Sequence, residues 1–333
     1  MKGEELAPLK IQSVIWNGTF IHILNSALEL GVFDAIYKGA HDIKDIAREI
    51  EASQRGTRIL LDALAVIGFI RKKDCKYHLT SESESFLVSG KPTCLSDFIM
   101  LHGENTRLLW SSLSKAVRSG RGIEYENPGK GEFYRRLASG LFVLNYPLAW
   151  RLVRILLMDK IVRYLNILDV AAGSAPWSIA MAEANPDSLV TAIDLPEVLE
   201  ITRGYVERHG LEKRFRYVAS DINRSNFGEE RYDIAVLGNI CHSLGEEGSE
   251  RLFSRLYTCL KDRGEIIVID TIVDEEREES FFPLLFALVM LLNTPNGDTF
   301  TFSQFKRWLL SAGFTNIRRV DLSLETAAII AQK

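Results

Sequence analysis

The stretch ILDVAAGSAPWSIAMAEANPDSLVTAIDLPEV, residues 167–198, decides how the chain is read. ILDVAA is a nearly continuous apolar run, WSIAMAEANP has helical spacing, and LVTAID is a second apolar run. Continuous apolar strands separated by helices imply a parallel sheet covered on both faces, because a strand with one wet face would alternate. The alternation continues toward the C-terminus. A helix is expected over VLEITRGYVERHG, a third strand over FRYVASD, a fourth over YDIAVLGNI, a helix over GSERLFSRLYTCL and a fifth strand over EIIVIDTIV. FTNIRRVDLS and AAIIAQK then follow too closely for a crossover and predict an antiparallel hairpin. The fold class is therefore α/β, a doubly wound sheet finished by a hairpin.

Upstream the pattern is helical. Phe20, Ile23, Leu24, Ala27, Leu28 and Val32 share one helical stripe, with Gly31 as a C-cap. Ile43, Ile46, Ala47 and Ile50 share another, and Ser53 opens a third helix that stops at Gly68. Phe69 and Ile70, a turn at Lys73–Asp74, then Tyr77 and Leu79 make a short hairpin. Three helices and a hairpin form a winged-helix pattern. The expected organisation is a mostly α winged-helix domain over 1–95, a helical linker over 96–163 broken at SGRGIEYENPGKG, and the sheet domain over 164–333.

Composition narrows the function. In 333 residues, 47% are hydrophobic and 25% charged, which excludes disorder over most of the length. The net charge of −4 argues against a dedicated nucleic-acid binder and against a polybasic membrane-surface protein. Cys75, Cys94, Cys241 and Cys259 show no CxxC spacing, and the six histidines are scattered, so no metal site is expected. Free thiols fit a reducing cytoplasm. MKGEELAPLKIQ has no charged-then-apolar signal pattern. The longest uninterrupted apolar run, Phe281 to Leu292, falls short of the ~20 residues of a spanning helix and reads as a buried or pocket-lining helix.

Ligands of open α/β sheets bind beyond the carboxyl ends of the strands, near the switch point. Asp169 ends the first strand and Gly173 lies in the turn after it; Asp194 ends the second strand, placed for ribose hydroxyls; Asp221 ends the third, placed for an adenine amino group. The single glycine in DVAAGSAPW lacks the GxGxxG pattern that seats a dinucleotide pyrophosphate, which disfavours a nicotinamide-dependent oxidoreductase.

With these motifs, followed in order by IDLP, ASD, NICH, IIVID and GDTFTFSQFKRWLLSAGF, the chain resembles class I S-adenosylmethionine-dependent methyltransferases over nearly its whole length. Specifically it is similar to the O-methyltransferase family of plant caffeate, bacterial antibiotic and acetylserotonin enzymes. Ala171, Ala172 and Ala175 stand where glycine is common in that family, and Gly238 stands where lysine is common. The resemblance implies S-adenosylmethionine as cofactor, with Ala171 and Gly173 facing its methionine part and Asp194 and Leu195 its ribose. Asp221 and Ile222 would flank the adenine, and Asn239 completes the set. It also implies a homodimer formed through the N-terminal domain.

Methyl transfer to a hydroxyl needs near-attack placement and removal of a proton. His242, just past the fourth strand, is the candidate base, because a histidine can be neutral and accept a proton at working pH. The resemblance gives it two acidic neighbours. Asp270 matches the first, whereas Thr299 occupies the second place with Asp298 adjacent. That departure leaves open a carbon acceptor, an already acidic hydroxyl, or a relative that binds cofactor without transferring methyl. Trp110, Phe133, Phe142, Tyr146, Phe286 and Met290 are the candidate lining for a small, flat, aromatic or polyketide-like acceptor. A winged-helix transcription regulator is the competing class. Its third helix offers only Arg55 and Arg58, and the hairpin Arg71, Lys72 and Lys73.

Overall fold

The structure, a computed structural model, describes residues 8–122, 130–158 and 165–333. The first seven residues, most of the glycine-rich break and the end of the linker near 159–164 lie outside the described residues. The chain divides into two compact units, Met1–Arg107 and Leu108–Lys333.

The first unit holds α1 (Leu9–Asn17), α2 (Phe20–Glu29), α3 (Val32–Tyr37), α4 (Ile43–Glu49) and α5 (Gln54–Val66). A hairpin of β1 (Ile70–Lys73) and β2 (Lys76–Leu79) and a short α6 (Ser81–Phe86) follow, and α7 (Ser96–Leu108) runs to its border. Asp42 and Ser53 cap α4 and α5 by accepting the amides of Asp45 and Gly56, the arrangement their side chains favour. Phe33, Ile46, Leu61, Leu64 and Tyr77 form its buried core. The hairpin turn falls at Asp74–Cys75, both left-handed, one residue later than Lys73–Asp74, because a two-residue turn needs positive φ at both positions. Arg58, Lys72 and the Tyr77 hydroxyl all converge on Asp62, so these two cations are engaged within the unit.

In the second unit the helical run expected from Ser96 is broken: a 3-10 turn at Trp110–Ser112 precedes α8 (Leu113–Ser119). The long α9 (Lys130–Met158) carries Pro147 within it. Then come β3 (Asn166–Val170), α10 (Pro176–Ala184), β4 (Leu189–Asp194), α11 (Pro196–Arg208), β5 (Phe215–Ala219), β6 (Tyr232–Gly238), α12 (Cys241–Cys259) and β7 (Leu260–Val273). They are followed by α13 (Phe281–Asn293), β8 (Phe300–Thr301), α14 (Phe302–Ser311), β9 (Thr315–Asp321) and β10 (Thr326–Gln332).

The sheet order is β5-β4-β3-β6-β7-β10-β9. The strands from β5 to β7 are parallel, and β10 enters antiparallel between β7 and β9. The order reverses between β3 and β6, so the carboxyl ends of β3, β4 and β6 border the switch-point crevice. One apolar layer covers each face. Ile167, Ile179, Val190 and Leu152 pack on one side, and Leu168, Phe253, Phe305 and Trp308 on the other. Over residues 133–157, α9 is long and apolar enough to cross a bilayer, yet its Phe142, Ala149, Leu152 and Leu156 are core residues of this unit.

One local feature sets the position of the residues after β6. α12 is kinked at Gly245 (φ 74°, ψ −177°), which detaches its first turn from the rest. This backbone region is essentially closed to side chains, and a Cβ at Gly245 would stand 2.5 Å from the Asn296 carbonyl oxygen. Gly245→Ala is expected to destabilise the protein by about 1–3 kcal/mol, read as a lowered midpoint in thermal unfolding.

Candidate active site

The crevice is built from three strand-to-helix turns. After β3, Ala171, Gly173 and Ala175 all adopt left-handed backbone, with φ of 56°, 57° and 57°. Two of these are alanines, which bear a steric cost that glycine would not. The turn is held from outside. The Ala172 amide donates to the Ile193 carbonyl at 3.2 Å and the Ala175 amide to Ala172 at 2.7 Å. The Thr202 hydroxyl of α11 donates to the Gly173 carbonyl at 2.6 Å. Proline at the first position of both α10 and α11 starts each helix sharply where the turn ends.

Asp194 joins two of these turns. One carboxylate oxygen accepts the Gly173 amide at 2.9 Å and the other accepts the Leu195 amide at 2.7 Å. Burial pushes its carboxyl upward against these two bonds. Each oxygen keeps a lone pair for a further donor. The phenol of Tyr134, on α9, is shifted upward by burial and then by the charges of Asp194 and Glu197.

Asp169 sits deeper. It is 1% exposed and accepts the Ser178 hydroxyl of α10 at 2.5 Å. Burial, with a smaller contribution from the Asp194 charge, pushes its carboxyl up to about 7. Asp221 accepts the backbone and side-chain amides of Asn223 at 2.9 and 3.0 Å, closing its own turn. The Ile222 carbonyl is held by Arg255. Asn239, left-handed at φ 59°, donates its amide to Ile269 at 2.8 Å and redirects the chain past β6.

Gly238, at the end of β6, explains its own smallness. A Cβ there would lie 2.3 Å from the indole nitrogen of Trp177. Trp177 is 3% exposed, and its indole packs against the backbone of Gly238.

His242 stands in the detached first turn of α12 and is fixed at three points. Its ring Nδ1 lies 2.6 Å from one oxygen of Asp270, and its amide donates to the other at 3.1 Å. Its carbonyl accepts the Asp298 amide at 2.9 Å. Asp270 lies within the buried stretch of β7 and is itself 1% exposed. A carboxylate on Nδ1 makes that nitrogen the donor and leaves Nε2 as the acceptor. The Phe286 ring meets the imidazole edge-on at 5.0 Å, and the Met290 sulfur lies 3.9 Å from the Ser243 hydroxyl. Both come from α13, against which α8 packs.

The expected acceptor lining therefore separates into groups. Phe286 and Met290 are brought to His242. Trp110 leads into α8, and Phe133 packs on Tyr134 with ring centres 5.5 Å apart. Phe142 and Tyr146 are placed differently from the expectation. Phe142 is stacked between Tyr205 at 4.0 Å and Tyr146 at 4.9 Å. The Tyr146 hydroxyl donates to Glu183 at 2.6 Å, and burial with that carboxylate pushes the phenol up to about 12. Both rings clamp α9 to α10 and α11, because the helix stripe they occupy faces the sheet layer. Trp177, Ser178, Thr202 and Tyr134 were not singled out from the sequence. A turn-bracing side chain and a second aromatic beside Phe133 leave no spacing signal of their own.

The sequence profile of the O-methyltransferase domain matches residues 110–315, and that of the O-methyltransferase dimerisation domain matches residues 17–89. The chain belongs to the O-methyltransferase family. It is an enzyme of the S-adenosylmethionine-dependent class. It is 27% identical over 306 residues to acetylserotonin O-methyltransferase of Rattus norvegicus, covering 89% of this chain and 70% of that protein. It is 24% identical over 320 residues to the tetracenomycin polyketide synthesis 8-O-methyl transferase TcmO of Streptomyces glaucescens, covering 93% and 92%. The crystal structure of human N-acetylserotonin methyltransferase in complex with SAM shares the fold with a TM-score of 0.84 at 22% identity, covering 100% of this chain and 99% of that one. The parallel sheet with its antiparallel closing strands is thus the fold of this family.

Phe142→Ala is expected to cost about 3–5 kcal/mol of stability, read by chemical denaturation. The folded Asp169 carboxyl holds its proton up to about 7, against 3.8 in an open chain, so the folded state binds more protons between those values. Its contribution to stability therefore falls as pH rises through that window. Asp169→Asn removes the effect, and the melting temperature of the variant minus that of the parent should increase from pH 4 to pH 7.

Proposed function

We propose that the enzyme O-methylates a small, flat aromatic or polyketide-like hydroxyl compound, with His242 as the general base. The observation that carries this reading is the His242–Asp270 pair at the rim of α13. A carboxylate held on Nδ1 leaves Nε2 as the accepting nitrogen, beside an apolar helix that offers Phe286 and Met290. S-adenosylmethionine, when bound, supplies a methyl group on a positively charged sulfur. Asp194, with a spare lone pair on each oxygen, would take the two ribose hydroxyls, and Leu195 would flank them. Ala171 and Gly173 would present the turn to the methionine part, and Asp221, Ile222 and Asn239 would border the adenine. Tyr134 would cover the ribose side. Asp169 acts from beneath by bracing the start of α10 through Ser178. His242 removes the acceptor proton at Nε2, while Asp270 balances the charge that the imidazole gains.

The first unit, with its helices and hairpin, is read as a winged helix used for homodimerisation. The match to a dimerisation domain and the exposed Leu9, Ile11, Val14, Ile15 and Trp16 of α1 support this. The engaged state of Arg58 and Lys72 favours that reading over a nucleic-acid surface. A cytoplasmic location fits the four free cysteines.

Calorimetric titration with S-adenosylmethionine tests the cofactor site. Saturable binding is expected, weakened about 10- to 100-fold by Asp194→Ala, and its absence would sink the assignment. His242→Ala should keep cofactor binding and lose about 10²–10⁴-fold in methylation of a hydroxyl that must be deprotonated.

A further inference from the structure

Two carboxylates flank the turn between β3 and α10, and they are supported unequally. Asp194 accepts two backbone amides, one on each oxygen. Asp169 is buried, and among the described residues the Ser178 hydroxyl is the one donor to its side chain. The strand register sets Ala192 of β4 and Val236 of β6 beside it, so neither neighbouring strand supplies a charge at its level. On α10, Glu183 is taken by the Tyr146 hydroxyl and the His209 ring. On α11, Thr202 binds the Gly173 carbonyl and adds no charge. Asp194 is therefore the charged group that acts on Asp169. Burial pushes the Asp169 carboxyl upward, against the Ser178 bond and with the charge of Asp194. A carboxyl so buried, with one donor and no paired cation, rests as the neutral acid.

The Asp194 carboxylate stands at the crevice, so charge there reaches Asp169 across the turn. A positive charge in the crevice acts in the opposite direction, because a protein interior screens charges weakly. S-adenosylmethionine and S-adenosylhomocysteine have nearly the same shape. They differ by one methyl group and by the positive charge on sulfur. We propose that Asp169 sets the preference of the site for the cationic cofactor over its neutral product, by releasing its proton when S-adenosylmethionine binds and keeping it when S-adenosylhomocysteine binds. The inference rests on the cofactor occupying the crevice at the ends of β3 and β4. In the step the Asp169 O–H bond breaks, its electron pair stays on the carboxylate, and the proton passes to the buffer. Ser178 goes on donating to the carboxylate. After methyl transfer the charge on sulfur is gone, and Asp169 takes a proton back from solvent.

The test titrates the full-length protein calorimetrically with each ligand near neutral pH, in phosphate and in imidazole buffers. Their different ionisation enthalpies count the protons exchanged. S-adenosylmethionine should release about half a proton or more beyond S-adenosylhomocysteine. The ratio of the two affinities should rise about tenfold between about pH 5.5 and pH 7. Asp169→Asn should abolish both effects, and His242→Ala should keep them. Ser178→Ala removes a bond that favours the ionised carboxylate, so it should move the release to higher pH. Infrared difference spectra give a readout independent of buffer: the carbonyl band of a protonated carboxyl should vanish with S-adenosylmethionine and persist with S-adenosylhomocysteine. If Asp169→Asn does not fold, Ser178→Ala and the infrared spectra decide. Equal proton exchange for the two ligands overturns the proposal. So does an excess release that survives in Asp169→Asn or vanishes in His242→Ala. Failure to bind either ligand would instead overturn the cofactor assignment on which the inference rests.

Discussion

A single buried carboxylate, Asp270, holds both the backbone and the ring of His242. The constraint is severe because a buried charge is tolerated only when its hydrogen-bonding capacity is filled. Three N–H donors fill it, and the two that come from His242 can be in place only if β6 and β7 pair in their observed register. Gly238 opposite Ile269 sets that register, and Asn239 then turns the chain so that His242 arrives over Asp270. The kink at Gly245 lets this first turn of α12 follow Asp270 while the remainder of the helix packs Phe253 and Leu256 on the sheet. Sheet pairing, backbone reversal and helix kink are thus all conditions of one hydrogen-bonded pair.

The opposite rim of the crevice is governed by Asp194 in the same way, with a different balance. Its two amide donors come from adjacent turns, so the carboxylate serves as a brace before it serves as a ligand. The left-handed alanines at 171 and 175 carry a steric cost that the surrounding bonds from Thr202, Ile193 and Asp194 must offset. Strained backbone of this kind persists where the surroundings over-determine it, as they do here.

Much of this was legible in the residues themselves. Five apolar runs ended in Asp169, Asp194, Asp221, Asn239 and Asp270 or their neighbours, and a doubly wound sheet leaves such ends on one edge. The closing hairpin was equally clear from the short spacing of its strands. What escaped was whatever depends on which neighbour a helix meets. Phe142 and Tyr146 have the periodicity of an inward stripe, but periodicity cannot say whether inward means a pocket or the packed face of α11. The start of α12 at Cys241, ahead of the expected Gly248, depends on Gly245 adopting a conformation that no local pattern announces. β8 is two residues long and carries no repeat to detect. The roles of Ser178 and Thr202 arise from contacts across turns, which appear only once the sheet is assembled.

Trp177 and Gly238 occupy one volume between them. With the indole of Trp177 as placed, a side chain at 238 would collide with it, so the two positions are sterically coupled. A variant with a long side chain at 238 needs a smaller residue at 177, and shrinking the tryptophan alone leaves a hole in its place. Enlarging residue 238 alone would force a side chain into closed space at the heart of the sheet. A substitution at either position alone therefore costs stability, by overpacking at 238 or by a cavity at 177, and a paired replacement relieves both.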